Sequence, residues 1–332
     1  MPPRQAAQAV ERLIENYRGA TPTTAPVLRN PADVAAYAAY RMPATFEAVR
    51  DALEALRAAT PGWTPLSHTD IGGGTGAATW AVHDVWPAGA PERATTVLDW
   101  AEPALDLGSR LAAASGLPAL AAARWKRQVL GAALALDPVD LVTVSYVLGE
   151  LTPADRTAVV AAAAAAAQAV VVVEPGTPEG YRRVIEARTR LVEAGFTIAA
   201  PCPQSGPCPI LAEEAAEPGT PARDWCHFAA RVQRSSLHRQ VKGGALSHED
   251  EKYSYVAAVR LPADPAAARV VRHPQIRKGL VMLRLCTTDE AGAGELVQEN
   301  VSKRHGPLYR AARDVEWGDP WPPGGLPGDP TP

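Results

Sequence analysis

Four cysteines and one run of glycines carry most of the chemistry suggested by the spacing of this chain. The first two cysteines sit in one phrase, Pro201-Cys202-Pro203-Gln204-Ser205-Gly206-Pro207-Cys208-Pro209, and Cys226 and Cys286 follow. Four thiols are enough for a tetrathiolate metal site. Structural zinc usually takes cysteines in pairs with roughly two to four residues between them. Here five, seventeen and fifty-nine residues separate successive cysteines. That wider spacing and the Cys-Pro steps suit an iron–sulfur cluster. Four unrelated buried thiols would have the same composition, so spacing alone leaves cluster, zinc and no metal open. The three closely spaced cysteines of a radical-AdoMet enzyme are absent.

The glycines form Asp70-Ile71-Gly72-Gly73-Gly74-Thr75-Gly76-Ala77, ending an expected strand and opening an expected helix. Such a turn lets a ligand lie against the main chain, and the helix N-terminus offers unpaired N–H groups. A dinucleotide would read it as G-x-G-x-x-A. AdoMet would read it as D-x-G-x-G-x-G, with Asp70 near the methionine ammonium and Gly72, Gly74 and Gly76 against the cofactor. The next strand ends at Asp99, placed for ribose hydroxyls of either ligand. A helical region before the first strand, and Asp70 at the strand end, favour AdoMet. A glycine turn with no ligand is the plainer alternative. Beyond the fourth strand, Ser145, Tyr146 and Glu150 face the ligand crevice of an open α/β sheet; capping and packing are their ordinary roles. The Asn/Asp-Pro-Pro-aromatic turn of base N-methylases is missing, as is a cysteine nucleophile in the sheet half, so no catalytic residue is assigned.

A third constellation is basic. Residues 226–284 hold eleven Lys and Arg against four Asp and Glu, although the whole chain has a formal charge of −3. Read as a helix over 227–242, the segment puts Arg231, Arg234 and His238 on one face, joined by Lys242, with Arg239 beside them. A second cluster, Arg272 to Lys278, contributes Arg277 and Lys278. Together they could grip phosphates; a solvated face is the usual alternative.

The elements that must hold these groups follow from periodicity. Helices are expected over 6–17 and 44–59, with Pro43 in the first turn of the second. Strands are expected at 66–71, 94–99, 119–124, 140–146 and 169–174, separated by helices at 76–85, 103–115, 126–135 and 153–167, with a further helix at 179–194. This alternation predicts a parallel sheet with helices on both faces. Residues 200–226 read as loop, 252–261 and 279–287 as β-rich, and 318–332 as a disordered tail. The chain has 332 residues, 47% hydrophobic and 21% charged, enough for a sizeable core. With no signal-like or spanning segment read in it, the expected location is the cytoplasm, where thiols are ligands or free rather than bridged.

Several phrases together resemble one family: Tyr40-Arg41-Met42-Pro43-Ala44-Thr45, the loop 70–77, Ser145 to Leu151, Glu174-Pro175-Gly176-Thr177-Pro178, the two Cys-Pro steps, Asp224-Trp225-Cys226-His227-Phe228, and Glu249 to Tyr255. They resemble the Rsm22 family over about residues 37–318. The resemblance implies a class I AdoMet-dependent methyltransferase fold, Rossmann-like, with N-terminal helices and a C-terminal β-rich, cluster-bearing extension. It implies a [4Fe–4S] cluster on Cys202, Cys208, Cys226 and Cys286, with zinc as the alternative. Implied partners are the small ribosomal subunit and its 16S-type RNA, with no membrane, and a monomer off the ribosome. RNA contact would fall to Arg231, Arg234, Arg239, Lys242, Arg277 and Lys278. The expected organisation is a helical region at 1–62, an AdoMet-binding domain at 63–200, a basic extension at 201–317 that completes the sheet, and a tail at 318–332. A non-catalytic assembly factor, or a small-molecule methyltransferase with structural zinc, are the competing functions.

Overall fold

The computed structural model describes residues 31–87, 93–216, 224–234 and 247–324. Two helices come first, α1 (Pro31–Tyr40) and α2 (Met42–Ala59), and α2 has its proline in the first turn, where the missing N–H costs nothing. The expected helix at 6–17 lies outside the described residues. The alternating unit then runs β1 (Ser67–Ile71), α3 (Ala77–Val85), β2 (Ala94–Asp99), α4 (Glu102–Ala114), α5 (Pro118–Ala121), β3 (Arg124–Arg127), β4 (Val139–Ser145), α6 (Pro153–Ala166), β5 (Ala167–Pro175), α7 (Pro178–Glu193) and β6 (Thr197–Ala200). The remainder is α8 (Pro209–Ala216), β7 (Phe228–Gln233), β8 (His248–Val259), β9 (Ala268–Val270), β10 (Gln275–Arg277), β11 (Leu280–Thr288), β12 (Gly294–Ser302), α9 (Pro307–Asp314) and β13 (Pro320–Trp321). Among the described residues no helix is long and apolar enough to cross a membrane.

The main sheet is mixed. Its order is β3-β2-β1-β4-β5-β8-β6, with β7 also on β8. Strands β1 to β5 pair in parallel, whereas β8 runs antiparallel to β5, β6 and β7. The chain winds outward through β1, β2 and β3, then returns to place β4 beside β1. That reversal is the topological switch point at which open α/β sheets bind ligands.

Both faces of this sheet are covered, which is why its central strands read as continuous Val and Ala runs. Val171 and Val173 of β5 pack with Leu53 and Leu56 of α2 and Val82 of α3. Val170 and Val172 point the other way, onto Val159 and Val160 of α6 and Val184 and Leu191 of α7. A second sheet, β10-β11-β9-β13 with β12 on β11, has its own core of Val270, Val281, Leu283, Leu285 and Trp321.

Five expectations need correction. Residues 119–124 are not a strand: Pro118 starts the short helix α5, and the third strand is the edge segment Arg-Trp-Lys-Arg. No helix spans 126–135, which follows that strand as loop and turn. The stretch 200–226 is not all loop, since α8 lies within it. The basic helix expected over 227–242 does not start there, because Phe228–Gln233 pairs antiparallel with His248–Tyr253 as β7; residues 235–242 lie outside the described residues. The tail does not begin at Gly318, because β13 pairs with β9 and buries Trp321, whose indole N–H donates to Glu299 Oε2 at 2.8 Å.

One buried ion pair fastens β5 to the crossover after it. Glu174, wholly buried, accepts from Arg183 Nε at 2.6 Å and from the Leu148 N–H at 3.0 Å. Removing one member of such a pair leaves the other charge unmatched. Glu174→Ala should therefore lower unfolding stability by about 3 kcal/mol, read as a drop in the urea midpoint at constant slope.

Candidate active site

The glycine loop sits at the switch point between β1 and α3. Its first two amides, Gly72 and Gly73, donate to the Leu98 carbonyl at 2.8 and 3.2 Å, which ties the loop to the end of β2. Gly72 has φ +69°, and a Cβ there would meet Val147 at 2.5 Å, so no other residue fits. Gly74 differs. It also has a positive φ, +53°, but a Cβ would meet nothing closer than Asp99 at 3.7 Å. That backbone is open to an approaching ligand. Gly76, with φ +87°, starts α3 against the ring of Trp125.

Asp99 closes the loop from the side. Its Oδ2 accepts from the Gly74 N–H at 2.9 Å and its Oδ1 from the Ala101 N–H at 2.7 Å, so the carboxylate is aimed along the loop. Asp70 lies beneath the loop rather than at its rim. It is wholly buried and accepts from Thr143 Oγ1 at 2.9 Å and Thr79 Oγ1 at 3.3 Å. Because Thr143 gives its proton to Asp70, His68 Nε2, 2.8 Å from the same oxygen, is the donor in that contact. Burial holds His68 neutral, with its pKa near 3. Asp70 thus braces the loop from below.

Ser145 is buried at the end of β4. Tyr146, next in line, is the single non-glycine residue with positive φ among the described residues, +56°. Its hydroxyl donates to Glu251 Oε1 at 3.0 Å, and Arg41 stacks over its ring at 5.1 Å. Arg41 in turn grips Glu251 with two bonds of 2.8 and 2.7 Å. The sequence reading missed Arg41 and Glu251 as members of this site; each lies in a phrase of the family resemblance, 210 residues apart.

The crevice is acidic. Burial pushes Asp70 up to about 7, with neighbouring Asp99 adding to it. Burial, then Asp99 and Glu174, push Glu150 up to about 8. Burial also raises Asp99. Carboxyls held this way gain from a nearby cation. AdoMet brings a sulfonium and an ammonium; a dinucleotide brings a pyrophosphate, which these groups repel.

The cysteines converge elsewhere. Cys202, Cys208, Cys226 and Cys286 line one narrow cavity with Tyr181, Tyr255, Arg188 and Arg269. Burial raises the Cys226 thiol well above its ordinary value, and the other three thiols add to the rise, so all four lie within electrostatic reach. Burial likewise raises Cys202 and Cys286. Tyr181 and Cys208 share a 3.3 Å hydrogen bond, and Ser254 donates to the Cys226 carbonyl at 2.8 Å. Among the described residues no group of three or more His, Cys, Asp or Glu side chains is placed to hold a metal ion.

The basic residues divide. Arg231 and Arg234 pair with Asp250 and Glu249 across the β7–β8 hairpin, at 3.0 and 2.6 Å. Arg239 and Lys242 lie outside the described residues. Arg277 and Lys278 are exposed and have no ion pair among the described residues. Lys252 stands 4.5 Å over the ring of Trp317, and His227 and His273 make edge contacts with that ring.

The profile of the Rsm22 family, described as mitochondrial small ribosomal subunit Rsm22, matches residues 31–322, and the chain belongs to that family. The chain is 30% identical over 303 residues to the human mitochondrial ribosome assembly protein METTL17, a match covering 85% of this chain and 61% of the human protein. Among solved structures, the plantazolicin methyltransferase BpumL in complex with SAH is 11% identical at a TM-score of 0.39, covering 78% of this chain and 95% of that one. A SAM-dependent methyltransferase from Aquifex aeolicus is 12% identical at a TM-score of 0.39, covering 53% and 93%.

The raised carboxyls give a signed expectation. Asp70 and Glu150 have ordinary values of 3.8 and 4.5 and stand near 7 and 8 when folded. Their protonated forms favour the fold fully below the ordinary values, and that contribution is lost as pH rises toward 8. The melting temperature of the ligand-free chain should therefore fall between pH 5 and 8, and Asp70→Asn should flatten the fall in a scanning calorimeter.

Proposed function

We propose that this Rsm22-family chain is a methyltransferase-like protein of class I architecture that binds AdoMet at the glycine loop and acts in small ribosomal subunit assembly, against its RNA, in the cytoplasm. A [4Fe–4S] cluster on Cys202, Cys208, Cys226 and Cys286 belongs to this reading. One observation carries it: the family match over residues 31–322 takes in both the acidic crevice and the cavity where the four cysteines meet.

The residues suit both groups. Gly74 presents an open backbone, Asp99 is fixed by two amides, and Asp70 and Glu150 supply negative charge for a cationic cofactor. Four cysteines that line one cavity are the donor set that a cluster of four irons takes. Arg188 is 4% exposed, and its Nε is buried with no hydrogen-bond partner among the described residues. It and Arg269 would offset the negative charge of a thiolate-bound cluster. When bound, such a cluster supplies a cross-link between three chain segments. Cys202 anchors the end of the main sheet, Cys226 the start of β7, and Cys286 the second sheet.

A second reading, a non-catalytic assembly factor, is favoured by Tyr146. Its hydroxyl is committed to Glu251 and its ring to Arg41, which takes this phenol out of use as a free general base. Methylation mapping of small-subunit RNA from a deletion strain separates the two; an unchanged pattern would sink the enzyme reading.

Anaerobically purified chain should carry about four irons and four sulfides, and Cys226→Ser should lose most of both. Zinc alone in that preparation would overturn the cluster. For RNA, Arg277→Glu with Lys278→Glu should weaken binding of a small-subunit RNA fragment and reduce the salt slope by about two. Arg231→Glu, whose partner is already Asp250, should change it little.

A further inference from the structure

A cleft of about 640 Å³ lies between α2, strands β7 and β8, and the segments around β13. None of the crevice residues described above lines it. Tyr255 and Arg269 line both this cleft and the cysteine cavity.

The rim of the cleft is acidic. Asp51, Glu54, Asp264, Glu316 and Asp319 line it, against the single guanidinium of Arg269. Arg269 is occupied by the carbonyls of Pro201 and Gly318, each at 3.0 Å. Glu54 pairs with Arg57, and Asp51 with Arg50 at 3.5 Å. Asp264, Glu316 and Asp319 have no cation partner among the described residues. Burial, opposed by Arg50 and reinforced by Glu47, lifts Asp51 to about 6.

The floor is aromatic and carries unused polar groups. Phe228 lies 6.0 Å from Tyr253 and 5.4 Å from Tyr255, ring to ring. The two tyrosines are 5% and 6% exposed, and neither hydroxyl has a hydrogen-bond partner among the described residues. The indole N–H of Trp317, also in the lining, is buried without a partner. A buried indole N–H of this kind ordinarily finds a partner. Two hydroxyls can accept from a cation, and aromatic faces attract one. The indole N–H needs an acceptor.

We propose that this cleft binds a lysine- and arginine-rich segment of a partner polypeptide. The carboxylates match its side chains by charge, the tyrosines accept from their ammonium or guanidinium groups, and a peptide carbonyl accepts from Trp317. A free polyamine would satisfy the carboxylates but has no acceptor for the indole. The site lies beside the Lys252–Trp317 contact, so a basic polypeptide here and a nucleic acid on the cations would be neighbours.

The test uses the full chain and a fluorescein-labelled decapeptide of alternating basic and small residues, with its acetyl-lysine and citrulline counterpart as control. The basic peptide should bind and the neutral one should not. Asp264→Asn with Glu316→Gln should weaken binding roughly tenfold. Tyr253→Phe should weaken it roughly threefold with an unchanged melting temperature, since the hydroxyl holds nothing within the chain. Equal binding of the neutral peptide, or basic-peptide affinity unmoved by these variants, would overturn the proposal. So would displacement of the peptide by spermidine at lower concentration than by unlabelled peptide, which would mark a polyamine site.

Discussion

Strand β8 is the constraint on which the rest of the molecule depends. It enters the main sheet between β5 and β6, and its backbone bonds are shared with three strands. Its side chains then reach every site in turn. Glu251 holds Arg41 and Tyr146 at the crevice, Lys252 covers Trp317, and Tyr253 floors the acidic cleft. Ser254 holds the Cys226 carbonyl, Tyr255 lines both cleft and cysteine cavity, and Val256 returns to the core. Neighbours on a strand face opposite ways, so a register slip of one residue would exchange these partners wholesale.

The glycine loop depends on a different kind of support. Nothing in its own backbone keeps Gly74 accessible. Asp99 fixes it from one side, while Val147 and Trp125 fill the space beside Gly72 and Gly76. Beneath it runs a buried line from His68 through Thr143 to Asp70. The cost is that burial holds Asp70 and Glu150 well above the ordinary carboxyl range, and it is the kind of cost a cationic ligand relieves.

Local patterns revealed what depends on local patterns. The strands flanked by clear turns, Ser67–Ile71, Ala94–Asp99, Val139–Ser145 and Ala167–Pro175, were legible to within two residues at either end. Arg124–Arg127 was not, because an exposed edge strand of charged residues shows no alternation. Residues 228–233 misled for a more instructive reason. Arg231 and Arg234 are spaced as on a helix face, but Phe228, Ala230 and Val232 alternate, and it is their burial that decides. The acidic run Glu249-Asp250-Glu251 opposite was the available signal for a charged hairpin. The meeting of four cysteines lay beyond any spacing rule. It depends on β6, β7 and β11, segments joined by topology rather than by sequence.

The order of strands in the sheet also sets a timetable for synthesis. Strands β5 and β6 are complete by residue 200, but the strand that belongs between them ends at Val259. Until about sixty more residues have left the ribosome, at roughly 5–20 per second, two valine- and alanine-rich edges stand unpaired on a nascent chain. The sheet can close only once β8 is present, and the same strand carries Glu251 to the crevice and Tyr255 to the cysteines.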